Sequence, residues 1–156
     1  MSTFVLRRME TVAGRLHFFA LHICKKCPFD GICKVSKEEA IKKYECELGP
    51  WDIFADGLAK KNPNFKKQLI TVYSRIDSLA QLQTLPKNKF KDITPPKDNV
   101  KEYEIKTPDL RVYLFHLEHL GRVIICGGIK GTQNADIRQF RNLKREYLLS
   151  LKKKNK

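Results

Sequence analysis

Apolar positions organise this chain before any other feature does. Phe65, Leu69, Val72, Ile76 and Leu79 recur at steps of four, three, four and three, the spacing of one helical face. Asn62-Pro63 just ahead of them supplies a cap followed by proline at the first helical position, so the helix starts there. Nearer the N-terminus, Phe4-Val5-Leu6, Val12 and then Leu16, Phe18, Phe19 and Leu21 form two extended runs around Ala13-Gly14. That pattern predicts a hairpin over Thr3 to His22. Residues Cys24 to Cys33 read as loop. Ser36 with Glu39 is a capping-box pattern that opens a short helix through about Leu48, where Gly49-Pro50 stops it.

The second half alternates differently. Thr84 to Val100 holds Pro86, Pro95 and Pro96 among lysines and is expected to run extended over the surface. Strand signals follow at Lys101 to Lys106, Leu110 to Leu117 and Arg122 to Gly127, separated by the turn segments Thr107-Pro108-Asp109 and Glu118 to Gly121. Turns this tight imply an antiparallel meander. A last helix starts near Asn134 with Ile137, Phe140, Leu143, Tyr147 or Leu148, and Leu151 inward, and with Arg141, Lys144 and Arg145 on other faces. The expected fold class is α+β: a small antiparallel sheet with helices packed on one face. A single domain spans 1–156, divided into an N-terminal extension (1–60) with the hairpin and short helix, a core (61–150) and a basic tail (151–156).

Charge then narrows the partners. Lys and Arg number 31 against 17 Asp and Glu, a formal charge of +14, which attracts polyanions and makes nucleic acid the first candidate. Lys152, Lys153, Lys154 and Lys156 read as a solvated tail, and a basic body remains without them. Leu16 to Cys24 is far shorter than the roughly 20 residues of a spanning helix, no lipidation motif is present, and Arg7, Arg8 and Arg15 are not followed by a signal-type apolar region. No membrane role is expected, and the cytoplasm is the expected compartment. Five cysteines are an odd count, so reduced thiols are expected rather than a paired framework. Cys24, Cys27 and Cys33, with His22 and Cys46 nearby, resemble half a zinc knuckle. The second ligand pair is missing, so no metal is expected, and Cys126 reads as core.

Candidate chemistry gathers in the meander. A period of two sends Tyr103 and Ile105 to one face and Glu102, Glu104 and Lys106 to the other, while Arg111, Tyr113 and Phe115 share a face opposite Leu110, Val112 and Leu114. A sheet covered on one side would therefore present Lys106, Arg111 and Tyr113 on its open side. Fixed cations beside an aromatic ring suit an RNA strand, because Lys and Arg neutralise phosphate and the ring stacks on a base. The same cations would stabilise charge building on a phosphate under attack by a ribose 2′-hydroxyl. A wet sheet face also carries such residues for solubility alone. His17, His22, His116 and His119 form no tight metal motif, and Gly127-Gly128-Ile129-Lys130-Gly131-Thr132 lacks the glycine frame of a phosphate-binding loop.

Lys101-Glu-Tyr-Glu-Ile-Lys106, Asp109-Leu-Arg-Val-Tyr113, Arg122-Val-Ile-Ile, Gly127-Gly-Ile-Lys-Gly-Thr-Gln133 and the Asp136-Ile-Arg-Gln-Phe helix together resemble the RelE/ParE toxin superfamily, most closely its HigB-like, phage-derived branch. The resemblance covers about residues 86 to 150. It implies a small sheet with helices on one side, cleavage of ribosome-bound mRNA without metal or other cofactor, and an antitoxin partner, usually a helix-turn-helix protein. It implies that Lys106 and Arg111 bind and activate the scissile phosphate, and that Lys130 contacts RNA or stabilises the leaving group. Lys89, Lys91, Tyr113 and Arg122 are the accompanying candidate RNA contacts. Tyr147 falls where some relatives place a functional tyrosine, although its helical spacing suits the core. Two positions depart from the pattern: Glu104 stands where RelE has lysine, and Gly131 stands where the family has the second of two basic residues. The alternatives are a ParE-like topoisomerase inhibitor on the same fold and a basic RNA-binding module without catalysis.

Overall fold

The computed structural model describes residues 3–10 and 14–154. In chain order it contains β1 (Thr3–Arg8), β2 (Phe18–Cys24), β3 (Ile32–Cys33), α1 (Lys37–Tyr44), β4 (Cys46–Leu48), α2 (Pro50–Lys61), α3 (Pro63–Ala80), β5 (Phe90–Asp92), β6 (Glu102–Lys106), β7 (Leu110–Leu117), β8 (Gly121–Ile129) and α4 (Gln133–Lys154). The strands join in one eight-stranded sheet ordered β3-β1-β2-β8-β7-β6-β5, with β4 attached to β2. Among the described residues no helix is long and apolar enough to cross a membrane.

The hairpin of β1 and β2 is present, in register from Thr3 opposite Cys24 to Arg8 opposite Phe19. Val12 of the expected runs and Ala13 of the expected Ala13-Gly14 turn lie outside the described residues. The antiparallel meander β6-β7-β8 is also present, and β5 adds an edge strand inside the segment expected to run extended over the surface. The chain is thus α+β, but the sheet is neither small nor wholly antiparallel. β2 runs parallel to β8 through Phe18 to Ala20, and β1 runs parallel to β3. The N-terminal segment read as an extension therefore supplies half of the sheet.

Helices cover both faces rather than one. Val112, Leu114, Ile105 and Ile124 pack with Trp51, Leu58, Leu69, Val72 and Ile76 of α2 and α3. Tyr113, Phe115, Val123 and Ile125 pack with Phe140 and Tyr147 of α4. The reason is visible in the strands: β7 and β8 are apolar at consecutive positions, as strands buried on both faces must be. Ile137, Leu143, Leu148 and Leu151 join the α4 side, as their spacing predicts. Lys144, expected on an outer face, is instead buried at 4% exposure.

Two local expectations change. α1 ends at Tyr44, with Glu45 left-handed (φ 53°) as its cap, so the segment before Gly49 is the strand β4 and not helix. Pro50 does not only stop a helix; it starts α2, again as a proline at the first turn. Gly49 is required at this junction because a side chain would run into the Leu21 carbonyl. The basic tail continues α4 as helix to Lys154.

The thiols are not all reduced. Cys24 and Cys46, opposite one another in the β2–β4 pair, form a disulfide, and Cys27, Cys33 and Cys126 are free. Among the described residues no group of three His, Cys, Asp or Glu side chains can hold a metal ion. The register explains why: Cys33 is opposite Arg7, itself opposite Ala20, so Cys33 lies four residues along the strand direction from Cys24, roughly 13 Å.

Candidate nucleic-acid interface

The turn between β6 and β7 is fixed from below by Gln68, a buried residue of α3. Its Oε1 accepts from Thr107 Oγ1 (2.6 Å) and from the Asp109 backbone (2.8 Å), while its Nε2 donates to Asp109 Oδ2 (2.7 Å). This clamp sets the ends of both strands and so the positions of Lys106 and Arg111, which lie directly opposite each other. Arg111 is in turn opposite Gly128, and the Lys106 backbone donates to the Lys89 carbonyl (2.9 Å). Lys89, Lys106 and Arg111 therefore form a row across adjacent strands, spaced by about 4.8 Å per strand. The Lys130 backbone donates to the Asp109 carbonyl (2.7 Å), which brings Lys130 to the same end of the sheet.

The row opens beside the start of α4. A register shift between β7 and β8 next to Tyr113 changes the parity of β8. As a result Cys126 and Gly128 share the α4 side with Tyr113 and Arg111. A methyl at Gly128 would overlap the Asp136 carboxylate, which would have to shift to make room for it. Asp136 Oδ2 accepts from Thr132 Oγ1 (2.7 Å) and closes the first turn of α4. Gly131 sits at φ +113°, a conformation that L side chains rarely adopt. The missing second basic residue at this position thus reflects the turn geometry, which needs glycine.

Arg111 stands out electrostatically. Its Nη1 donates to the carbonyls of Thr107 (2.6 Å) and Leu110 (2.8 Å), its Nε is buried without a hydrogen-bond partner, and it makes no ion pair among the described residues. Lys106 Nζ lies 3.7 Å from Glu104 Oε1, with the lysine half-buried and the carboxylate nearly covered. Lys89, Lys91 and Lys130 are exposed.

Two expected RNA contacts do not join this row. Tyr113 is fully buried and stacks on Phe140 of α4, ring centroids 5.9 Å apart, so the side expected to be open is covered there and no base can reach the ring. Burial, then the charge of the Glu104 carboxylate and the hydroxyl's interaction with it, push its ionisation well up, although no hydrogen bond of good geometry reaches the hydroxyl. Arg122 is opposite His116, five residues along β7 from Arg111 and roughly 17 Å away. Its guanidinium lies over the rings of Tyr103 (4.6 Å) and Phe90 (5.1 Å), which pack with the α2–α3 core on the opposite side of the sheet. Lys91 is opposite Glu104, one step beyond the row on the exposed edge.

The other titratable groups nearby are not poised for proton transfer. Burial, then the Asp136 charge, pushes the Cys126 thiol up to about 12, and burial pushes Tyr147 to about 12. Tyr147 packs between Phe4 and Phe115 and is core, as its spacing suggests. The sequence motifs include Thr132 and Asp136 but do not foretell their pairing, although a threonine just ahead of a helix is a recognisable start signal.

Comparison of the chain with family models, with curated proteins and with solved structures finds no match to any of them.

Proposed function

We propose that this chain is the toxin of a type II toxin–antitoxin pair, a RelE-like, HigB-related endonuclease that acts in the cytoplasm on mRNA held by the ribosome. The observation that carries the reading is the row of Lys89, Lys106 and Arg111 at the head of α4, in which Arg111 has a buried Nε and, among the described residues, no carboxylate partner. A guanidinium left in that state is suited to donate a charge-assisted hydrogen bond to a phosphate oxygen. Neighbouring cations at strand spacing suit the backbone of a single RNA strand.

The chemistry needs the row to do two things. As the ribose 2′-oxygen bonds to phosphorus and the bond from phosphorus to the 5′-oxygen breaks, negative charge grows on the phosphate oxygens, where Arg111 and Lys106 stabilise it. The 2′-hydroxyl loses its proton, the departing 5′-oxygen gains one, and Lys130 stands at the same end of the sheet to stabilise that oxygen. The products are a 2′,3′-cyclic phosphate and a 5′-hydroxyl. The antitoxin partner and the metal-independent course come from the RelE/ParE resemblance.

A second reading, a basic RNA-binding module without cleavage, is favoured by Glu104, whose carboxylate offsets the charge of Lys106 inside the row. Induction of the chain in bacterial cells, with mapping of mRNA 5′ ends, separates the readings. The toxin reading expects growth arrest with new 5′-hydroxyl ends that vanish in Arg111→Ala. Growth arrest without cuts would favour a ParE-like target, and a folded protein without effect would favour the binding module.

A further inference from the structure

A groove runs between the proline-bearing loop before β6 and the C-terminal half of α4. One hollow, of about 360 Å³, has Pro95, Leu148 and Leu149 on its walls and Arg145 and Lys152 at its rim. A wider hollow of about 710 Å³ shares Pro95, Leu148 and Lys152 with it and adds Pro96, Val100 and Leu151. Leu149 is 50% exposed although its neighbours on the helix turn inward.

This groove is built rather than incidental. Lys144 reaches from α4 and donates to Asp98 Oδ2 (2.9 Å) and to the Val100 carbonyl (2.9 Å), which ties the loop to the helix. The loop also braces itself, with the Val100 backbone donating to Asp98 Oδ1 (2.9 Å). A fixed wall of this kind lowers the ordering cost of binding.

Its charges are unbalanced in one direction. The two carboxylates in the wall, Asp98 and Glu102, are both held by Lys144, and Glu102 also by Arg141. Lys97, Arg145 and Lys152 are exposed and make no ion pair among the described residues. The groove therefore offers an aliphatic floor and an unpaired basic rim.

We propose that this groove docks an acidic amphipathic helix from a partner protein, its aliphatic face on Pro95, Leu148, Leu149 and Leu151 and its carboxylates on Lys97, Arg145 and Lys152. RNA is the poorer fit because the groove walls carry no aromatic side chain on which a base could stack. A second copy is the poorer fit because each chain carries +14 and would bring like charge to a basic rim. The proposal stands on these residues and does not depend on the cation row at the other end of α4.

The test uses the full chain and a synthetic helical peptide with leucines at i, i+3, i+4 and i+7 and glutamates on its remaining faces. A scrambled peptide of the same composition is the control, and binding is followed by backbone amide shifts. The expected result is movement of amides in 95–100 and 145–152, with affinity at least tenfold above the scrambled peptide. Leu149→Asp, at an exposed position, and Arg145→Glu with Lys152→Glu should each lower that affinity about tenfold. Three outcomes overturn the proposal: equal binding of the scrambled peptide, stronger shifts in the groove from single-stranded RNA than from the peptide, or a concentration-dependent dimer that Leu149→Asp dissolves.

Discussion

Two groups of cations lie on the α4 side of the sheet, one at each end, and they differ in how their charges are met. Lys144 and Arg141 are matched by carboxylates: Lys144 Nζ is 2.8 Å from Glu102 Oε2 and 2.9 Å from Asp98 Oδ2, and Arg141 Nε is 3.0 Å from Glu102 Oε1. Among the described residues Arg111 and its neighbours Lys89 and Lys130 have no such match, and Lys106 has only Glu104 at 3.7 Å. The first group is consumed in holding the loop before β6 against the helix. The second is left with charge to spend on a ligand. Basic residues of the same type thus serve structure or recognition according to where the carboxylates fall, and not according to their own identity.

The largest effect should come from the matched group. Lys144→Ala leaves Glu102, 1% exposed, with Arg141 as its remaining cation and removes the charge-assisted bonds of Lys144 to Glu102 and Asp98, a change that costs about 1.5–3 kcal/mol and should be read as a lower denaturant midpoint. A comparable loss from Lys106→Ala would erase the distinction between the two groups.

A smaller effect tests the same rule away from that face. Asp52 is buried, which raises its pKa, but hydrogen bonds from His22 and Arg7 and the charge of Arg7 outweigh burial and hold it at about 2. Its folded pKa lies below the ordinary value of 3.8, so the stability it contributes is fully present above that value and is lost as pH falls towards 2. An acid titration of unfolding should therefore be steep between about pH 4 and pH 2 in the wild type. In Asp52→Asn, Asp52's part of that slope should disappear.

Tyr113→Phe removes a buried hydroxyl that lies near the Glu104 carboxylate without a hydrogen bond of good geometry, and is expected to change stability by no more than about 1 kcal/mol in either direction. Growth arrest should survive it, since the ring is shielded by Phe140; loss of toxicity in a fully folded variant would put the hydroxyl back in the site. Smallest of all, Lys106→Ala should shift unfolding by less than about 1 kcal/mol, because at 3.7 Å the half-buried lysine makes no hydrogen bond to the nearly covered Glu104 carboxylate and little pairing is lost.

Much of the scaffold could be read from local pattern. α3, the meander and the core face of α4 follow from helical and alternating spacing, and the β1–β2 hairpin from two short apolar runs. What escaped was non-local. Nothing in Phe18-Phe19-Ala20 indicates that it pairs in parallel with Arg122 to Ile124, and without that pairing the N-terminal half looks like an appendage. The same blindness affected the site. Alternation placed Arg111 and Tyr113 on one side of β7 correctly, but could not reveal that Phe140 would lie over the tyrosine and leave the arginine clear. Strand register brought Lys106 beside Arg111 as expected, whereas Arg122 and Lys144 read as surface cations until their partners, two aromatic rings and two carboxylates, were in place.

The distinction between the two cation groups is tested most directly by the salt dependence of single-stranded RNA binding. The wild type is compared with Lys89→Ala/Lys106→Ala/Arg111→Ala and with Lys25→Ala/Lys26→Ala/Lys43→Ala, which removes three exposed cations elsewhere. Each phosphate contact on a single strand adds about 0.7 to the slope of log K against log salt, so losing the row should flatten it by about 2 while the second variant leaves it close to the wild-type value. Equal flattening by both variants, or no change on losing the row, would contradict the account.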